Sequence, residues 1–165
     1  MADALRILFA VSEVAPFSKT GGLADVAGAL PRALAALGHD VRIVTPRYRS
    51  FDGAVERVTS VRVRTARGDV TATIGRTTLP GSAVPVYTVE DDRGWFDRDG
   101  LYQAGARDFP DNLDRFAFFS RAALGPGRTV EGPALIEDEW STVLVYPGQR
   151  CVADRLGNLV IETGA

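Results

Sequence analysis

The chain has 165 residues, 45% of them apolar, a mean hydropathy near zero and a formal net charge of −2. That is enough apolar material for one globular core, and it leaves no basic excess to neutralise a nucleic-acid backbone, so no nucleic-acid partner is expected. No apolar run approaches membrane-spanning length and the opening residues lack the basic-then-apolar-then-small order of a secretion signal, so a cytoplasmic protein with no membrane partner is expected.

Ile7, Leu8, Phe9, Ala10 and Val11 form a short continuous apolar run, the pattern of a strand buried on both faces of a parallel sheet. After it comes Lys19-Thr20-Gly21-Gly22-Leu23-Ala24-Asp25-Val26, which holds the only lysine, against eighteen arginines. A compact ammonium on a flexible stem at the head of a Gly-Gly turn suits phosphate oxygens. The amides of Gly21 and Gly22 can approach an anion there with no Cβ in the way. Beyond the glycines, Leu23, Val26, Ala27, Leu30, Leu34 and Leu37 recur at helical spacing and predict one core-facing stripe. Gly38 supplies the stop, and Pro31 predicts a kink. Residues 41–45 read as a second buried strand. Residues 6–45 therefore predict one right-handed β-loop-α-β unit, in which ligands bind past the strand's carboxyl end at the helix N-terminus. His39, just beyond the helix, reads as a C-terminal cap or dipole partner rather than a catalyst.

Residues 58–65 and 70–78 alternate apolar with polar around Arg67-Gly68-Asp69, predicting a hairpin with one solvated face. The triplet reads as a turn rather than an adhesion signal. Residues 84–89 are another candidate buried strand, ended by Asp91 and Asp92. With Asp97 and Asp99 these acids lack the ordered oxygen positions of a calcium loop and read as a solvated acidic loop. Trp95, Phe96 and Tyr102 beside them can present a stacking surface to sugar rings or anchor the loop, and anchoring is favoured. Asp111 or Asn112 is expected to cap a helix that turns Leu113, Phe116, Ala117, Ala123 and Leu124 inward. Cys151, the only cysteine, allows no internal disulfide and reads as a buried structural thiol.

The first apolar run continued by Ser12-Glu13-Val14-Ala15-Pro16-Phe17, the stretch from Lys19 to Val26, and Ala29-Leu30-Pro31 resemble the N-terminal motifs of bacterial glycogen synthases and plant starch synthases. So do Leu37-Gly38-His39-Asp40-Val41-Arg42 and Pro46-Arg47-Tyr48. Asp97-Arg98-Asp99-Gly100-Leu101-Tyr102, then Asp111-Asn112 with residues 115–124, are similar to the next two signatures in the family's order. The resemblance implies a retaining glucosyltransferase that adds glucose from ADP-glucose to the end of an α-1,4-glucan. It also implies a GT-B architecture, two Rossmann-like halves facing across a cleft. It places Lys19 near the donor diphosphate or the acceptor, Gly21 and Gly22 as close backbone contacts to the distal phosphate and glucose, and Asp25 as a sugar contact. No metal and no cofactor is implied, because lysine and amide dipoles can stabilise the departing diphosphate.

The likeness ends at Leu124, before the break Gly125-Pro126-Gly127. Residues 129–165 hold short β-branched runs divided by Pro147-Gly148 and Gly157-Asn158, predicting a small β meander. Their runs from Val130 to Glu137, Ser141 to Gly148 and Asp154 to Ile161 resemble the extreme C-terminus of the hydantoinase A and oxoprolinase family, whose catalytic residues lie elsewhere. The expectation is an α/β fold: an incomplete Rossmann-like half over residues 1–124, a junction at 125–128 and a β-rich tail at 129–165, joined as in a fusion. Half a cleft neither orients donor against acceptor nor excludes water, so such a piece is expected to be inactive alone. Its exposed sheet edge is expected to invite self-association. Two further readings stay open: a non-catalytic module binding an anion or sugar nucleotide at the Gly-Gly turn, and a hydantoinase or oxoprolinase fragment.

Overall fold

The computed structural model describes residues 4–124, 129–132, 134–137, 142–153 and 159–163. Its base is a five-stranded sheet in the order β1-β2-β5-β4-β3, with β1 Arg6–Ala10, β2 Asp40–Pro46, β3 Glu56–Thr65, β4 Gly68–Thr78 and β5 Pro85–Asp91. β1, β2 and β5 run parallel, with Ile7 beside Val41 and Val44 beside Tyr87. Helix α1 (Gly22–Ala36) makes the crossover from β1 to β2, the connection that a parallel pair requires. β4 runs antiparallel to β5 and β3. It forms with β3 the hairpin that the alternation predicts, and Gly68 closes the turn at a φ of 99°.

Adjacent strand residues point to opposite faces, so Ile43 and Val44 feed two separate cores. Phe9, Val41, Ile43 and Val86 pack on the α1 side with Ala27 and Leu34. Val44, Val63, Val70 and Val89 pack on the other side, with Trp95, Phe96 and helix α2 (Asn112–Leu124). Between β5 and α2 the chain makes a small hairpin from β6 (Gln103–Ala104) and β7 (Arg107–Asp108).

The end of α1 is as its glycine predicts. The His39 N–H donates to the Leu34 carbonyl and the Gly38 N–H to the Ala35 carbonyl, with Gly38 at a φ of 93°, which together make a Schellman closure. The ring of His39 has a different task from the expected cap: its Nδ1 accepts the Leu5 N–H at 3.2 Å and so fastens the start of β1. The helix runs unbroken through Pro31, whose ring is buried.

Both helices bury only part of the faces that their apolar spacing predicts: Ala27 and Leu34 of α1 and Phe116 and Ala123 of α2 pack on the cores, and the rest of each expected stripe does not. In α1 the buried residues are Ala24, Ala27, Gly28 and Pro31, while Leu23, Leu30, Val26 (54%) and Leu37 (75%) are exposed. The cause is close approach by the loop after β1. The Ala15 N–H donates to the Ala24 carbonyl at 3.0 Å, and a Cβ on Gly28 would stand 2.8 Å from the Ala15 carbonyl oxygen, so only small side chains fit beneath it. In α2, Leu113 is 83% exposed and Ala117 is exposed, whereas Phe118, Phe119 and Arg115 are buried. Arg115 donates to the Asn112 side chain and the Leu101 carbonyl and lies over the rings of Phe96, Phe109 and Phe116. Burial pulls its guanidinium pKa down. Asp111 sits at the N-cap position, its carbonyl accepting the Arg115 N–H, and its carboxylate pairs with Arg98, while Asn112 donates to the Tyr102 carbonyl.

The remaining described strands are β8 (Thr129–Glu131), β9 (Ala134–Glu137), β10 (Thr142–Val145), β11 (Gln149–Ala153) and β12 (Leu159–Thr163). They pair antiparallel as β9-β10 and β8-β11-β12, β-rich as expected, but in two separate sheets with β8 beside β11 rather than in one sequential meander. Gly148 at a φ of 81° and the Gln149 N–H donating to the Tyr146 carbonyl form the Pro147-Gly148 turn. The junction at 125–128 and the Gly157-Asn158 turn lie outside the described residues. Cys151 is buried, and burial pushes its thiol pKa up. β1 is an edge strand of the main sheet, and β9 lies alongside it without joining its ladder. Among the described residues no helix is long and apolar enough to cross a membrane.

Candidate functional site

The loop between β1 and α1 is held from below. The Val11 N–H donates to the Val44 carbonyl and carries β1's pairing one residue further. Val14 then bridges to Ser18, and between them lie a cis Ala15–Pro16 bond and Phe17, which stacks on Phe51 with ring centroids 4.5 Å apart. Val14 and Phe17 are buried, so this short turn is an anchor. It delivers Lys19 and Thr20 to the N-terminus of α1, past the carboxyl end of β1, where a parallel sheet places its ligands.

Gly21 is the N-cap of α1 in an extended conformation, and no side chain caps the helix, so the first-turn amides have no side-chain partner there. Asp25 lies in the first turn, where a carboxylate is favoured by the helix dipole. Lys19 donates from Nζ to both Asp25 oxygens at 2.7 and 2.8 Å, in a pair about half exposed. Lys19, Gly21, Gly22 and Asp25, the four residues singled out by sequence, therefore form one surface at one helix end.

The glycines carry further information. Elsewhere among the described residues each glycine has either a positive φ or a neighbour that a Cβ would crowd. Gly22 has neither: nothing lies within 4 Å of its Cβ position. At Gly21 the nearest atom is Glu13 Oε1, at 4.0 Å. Neither the backbone nor packing within the chain accounts for these two glycines, and the space above them is open.

Glu13 and Thr20 are site residues that sequence reasoning missed. Glu13 is only 3% exposed, and its Oε2 accepts the Thr20 N–H at 2.5 Å and the Thr20 hydroxyl at 2.8 Å. The available signal was a single acid in the otherwise uncharged run from Ile7 to Ser18. Trp95 and Phe96 are buried and do not reach the site; the Asp91 carboxylate accepts the N–H groups of Arg93, Trp95 and Phe96 and ties that loop down. Asp97 and Asp99 pair with Arg49. Tyr102 does touch the site's base, its hydroxyl 2.7 Å from Ser12 Oγ.

A family model described as the starch synthase catalytic domain matches residues 6–148, running past Leu124. Glycogen synthase of Anaeromyxobacter sp. (strain Fw109-5) is 46% identical over 144 residues, covering 86% of this chain and 29% of the relative. Glycogen synthase of Syntrophotalea carbinolica is 48% identical over 167 residues, covering 87% of this chain and 33% of the relative. Among solved structures, the catalytic domain of Arabidopsis thaliana starch synthase IV, bound to ADP and acarbose, matches with a TM-score of 0.65 and 31% identity. That match covers 74% of this chain and 25% of the plant chain. The chain thus spans about a quarter to a third of these proteins' length. Its parallel strands, crossover helix and open Gly-Gly loop are part of a GT-B fold, and the chain belongs to the starch synthase catalytic domain family.

Proposed function

We propose that the loop from Lys19 to Asp25 is a sugar-nucleotide site of glycogen synthase type. In the whole enzyme it serves retaining transfer of glucose from ADP-glucose to an α-1,4-glucan. The observation that carries this reading is the pair Gly21 and Gly22, whose missing side chains leave open space above an uncapped helix N-terminus. Backbone amides at a helix start attract phosphate oxygens, and Lys19 adds a point charge beside them. Together they favour the diphosphate that departs from glucose, and charge stabilisation of that group is what the reaction most needs.

Transfer itself requires donor and acceptor to be held together in a closed cleft. The relatives are three to four times longer than the part matched here, so this chain alone is expected to bind without polymerising. The exposed Leu23, Val26, Leu30 and Leu37 on α1, together with the largely exposed edge strand β3, favour self-association of the isolated chain. A cytoplasmic setting completes the reading.

Isothermal titration of ADP-glucose into the purified chain, with Lys19→Ala as control, tests the proposal. Saturable binding that falls at least tenfold in Lys19→Ala supports it. No binding by folded, monodisperse protein overturns it.

A further inference from the structure

Glu13 is the least expected group in the site: a carboxylate 97% shielded from solvent, directly beneath a loop suited to anions. Burying a charge is costly unless hydrogen bonds compensate. Thr20 supplies two, and both go to Oε2. Among the described residues Oε1 accepts no hydrogen bond, and it faces Gly21, 4.0 Å from that residue's Cβ position. One oxygen therefore holds the loop and the other stands as an unused acceptor at the floor of the open space.

This division has two consequences. The Thr20 N–H points inward to Glu13 and is withdrawn from any ligand, so the amides left for an anion begin at Gly21. A buried negative charge beside those amides also penalises a bare phosphate, while it rewards a ligand that brings hydroxyl donors along with its phosphate.

We propose that Glu13 is both a positioning residue and a specificity residue. Oε2 fixes the Thr20-Gly21-Gly22 backbone, and Oε1 accepts a hydroxyl from the sugar of a sugar diphosphate, favouring it over the nucleotide alone. The second role rests on the sugar-nucleotide reading above; the first does not.

The experiment compares ADP-glucose with ADP by calorimetric titration in the wild type, Glu13→Gln and Thr20→Val, with amide hydrogen exchange at Thr20. Glu13→Gln keeps an oxygen for Thr20 but replaces the second acceptor by a donor. The ratio of ADP-glucose to ADP affinity is expected to fall about tenfold or more in Glu13→Gln, the scale of a hydrogen bond to a charged group, while ADP affinity holds or rises. Thr20→Val is expected to weaken both ligands together, a loss of loop order without a change in discrimination. Glu13→Gln that lowers both ligands in step, or neither, overturns the specificity role. If the wild type binds neither nucleotide, the sugar-nucleotide reading fails and takes the role of Oε1 with it. The clamp is then decided by exchange: a protected Thr20 amide that opens in Glu13→Ala supports it, and an unprotected wild-type amide overturns it.

Discussion

A Cβ on Gly28 would stand 2.8 Å from the carbonyl oxygen of Ala15, a separation that real side chains do not show against backbone. Gly22, at the start of the same helix, has nothing within 4 Å. Substituting alanine should therefore separate packing from binding. Gly28→Ala is expected to lose about 1–3 kcal/mol by forcing the loop off the helix. Gly22→Ala is expected to keep its stability or gain up to about 1 kcal/mol, while ADP-glucose binding falls. Urea denaturation and titration on the two variants check this. Full binding by Gly22→Ala would remove the case for a cradle.

Thr45 and Thr88 are register partners on β2 and β5, and both hydroxyls are buried with no hydrogen-bond partner among the described residues. A buried hydroxyl without a partner costs free energy that a methyl group of similar size does not. Thr88→Val is expected to leave stability unchanged or raise it by about 0.5–2 kcal/mol in urea melts. A loss of stability would mean that the hydroxyl has a partner such as ordered water.

Asp111 is held below its ordinary value of 3.8, first by hydrogen bonds from Arg98 and then, against the cost of burial, by the charge of that guanidinium. A depressed carboxylate stabilises the fold fully above its unfolded value, and the gain is lost as pH falls through the lower folded value. At pH 7, Asp111→Asn is expected to cost about 1–3 kcal/mol. The gap between wild type and variant should narrow below about pH 4, near the unfolded value. Urea denaturation at pH 7, 4 and 3 measures this; a gap constant across the range would show that the pair's charge contributes nothing.

The β1-α1-β2 unit and the β3-β4 hairpin were legible because each rests on local periodicity and on glycines with a positive φ. The buried face of α1 was legible only in part. Ala27 and Leu34 of the predicted stripe do face the core, but the rest of the buried face is Ala24, Gly28 and Pro31, small residues selected by the closeness of Ala15. Arg115 escaped for a related reason: its place among Phe96, Phe109 and Phe116 joins residues distant from α2's own pattern. In the site, Lys19, Gly21, Gly22 and Asp25 were readable as one contiguous motif. Glu13 became visible only when the turn from Val14 to Ser18 folded it beneath Thr20.

The ion pair between Lys19 and Asp25 bears on how quickly a ligand arrives as well as on how it is held. Asp25 neutralises the ammonium at short range, and the formal net charge of the chain is −2, so little long-range attraction draws an anionic nucleotide in. Association is then an exchange of one anionic partner for another, governed by diffusion and collision geometry. Its rate should vary little with ionic strength, unlike capture by an unpaired cation.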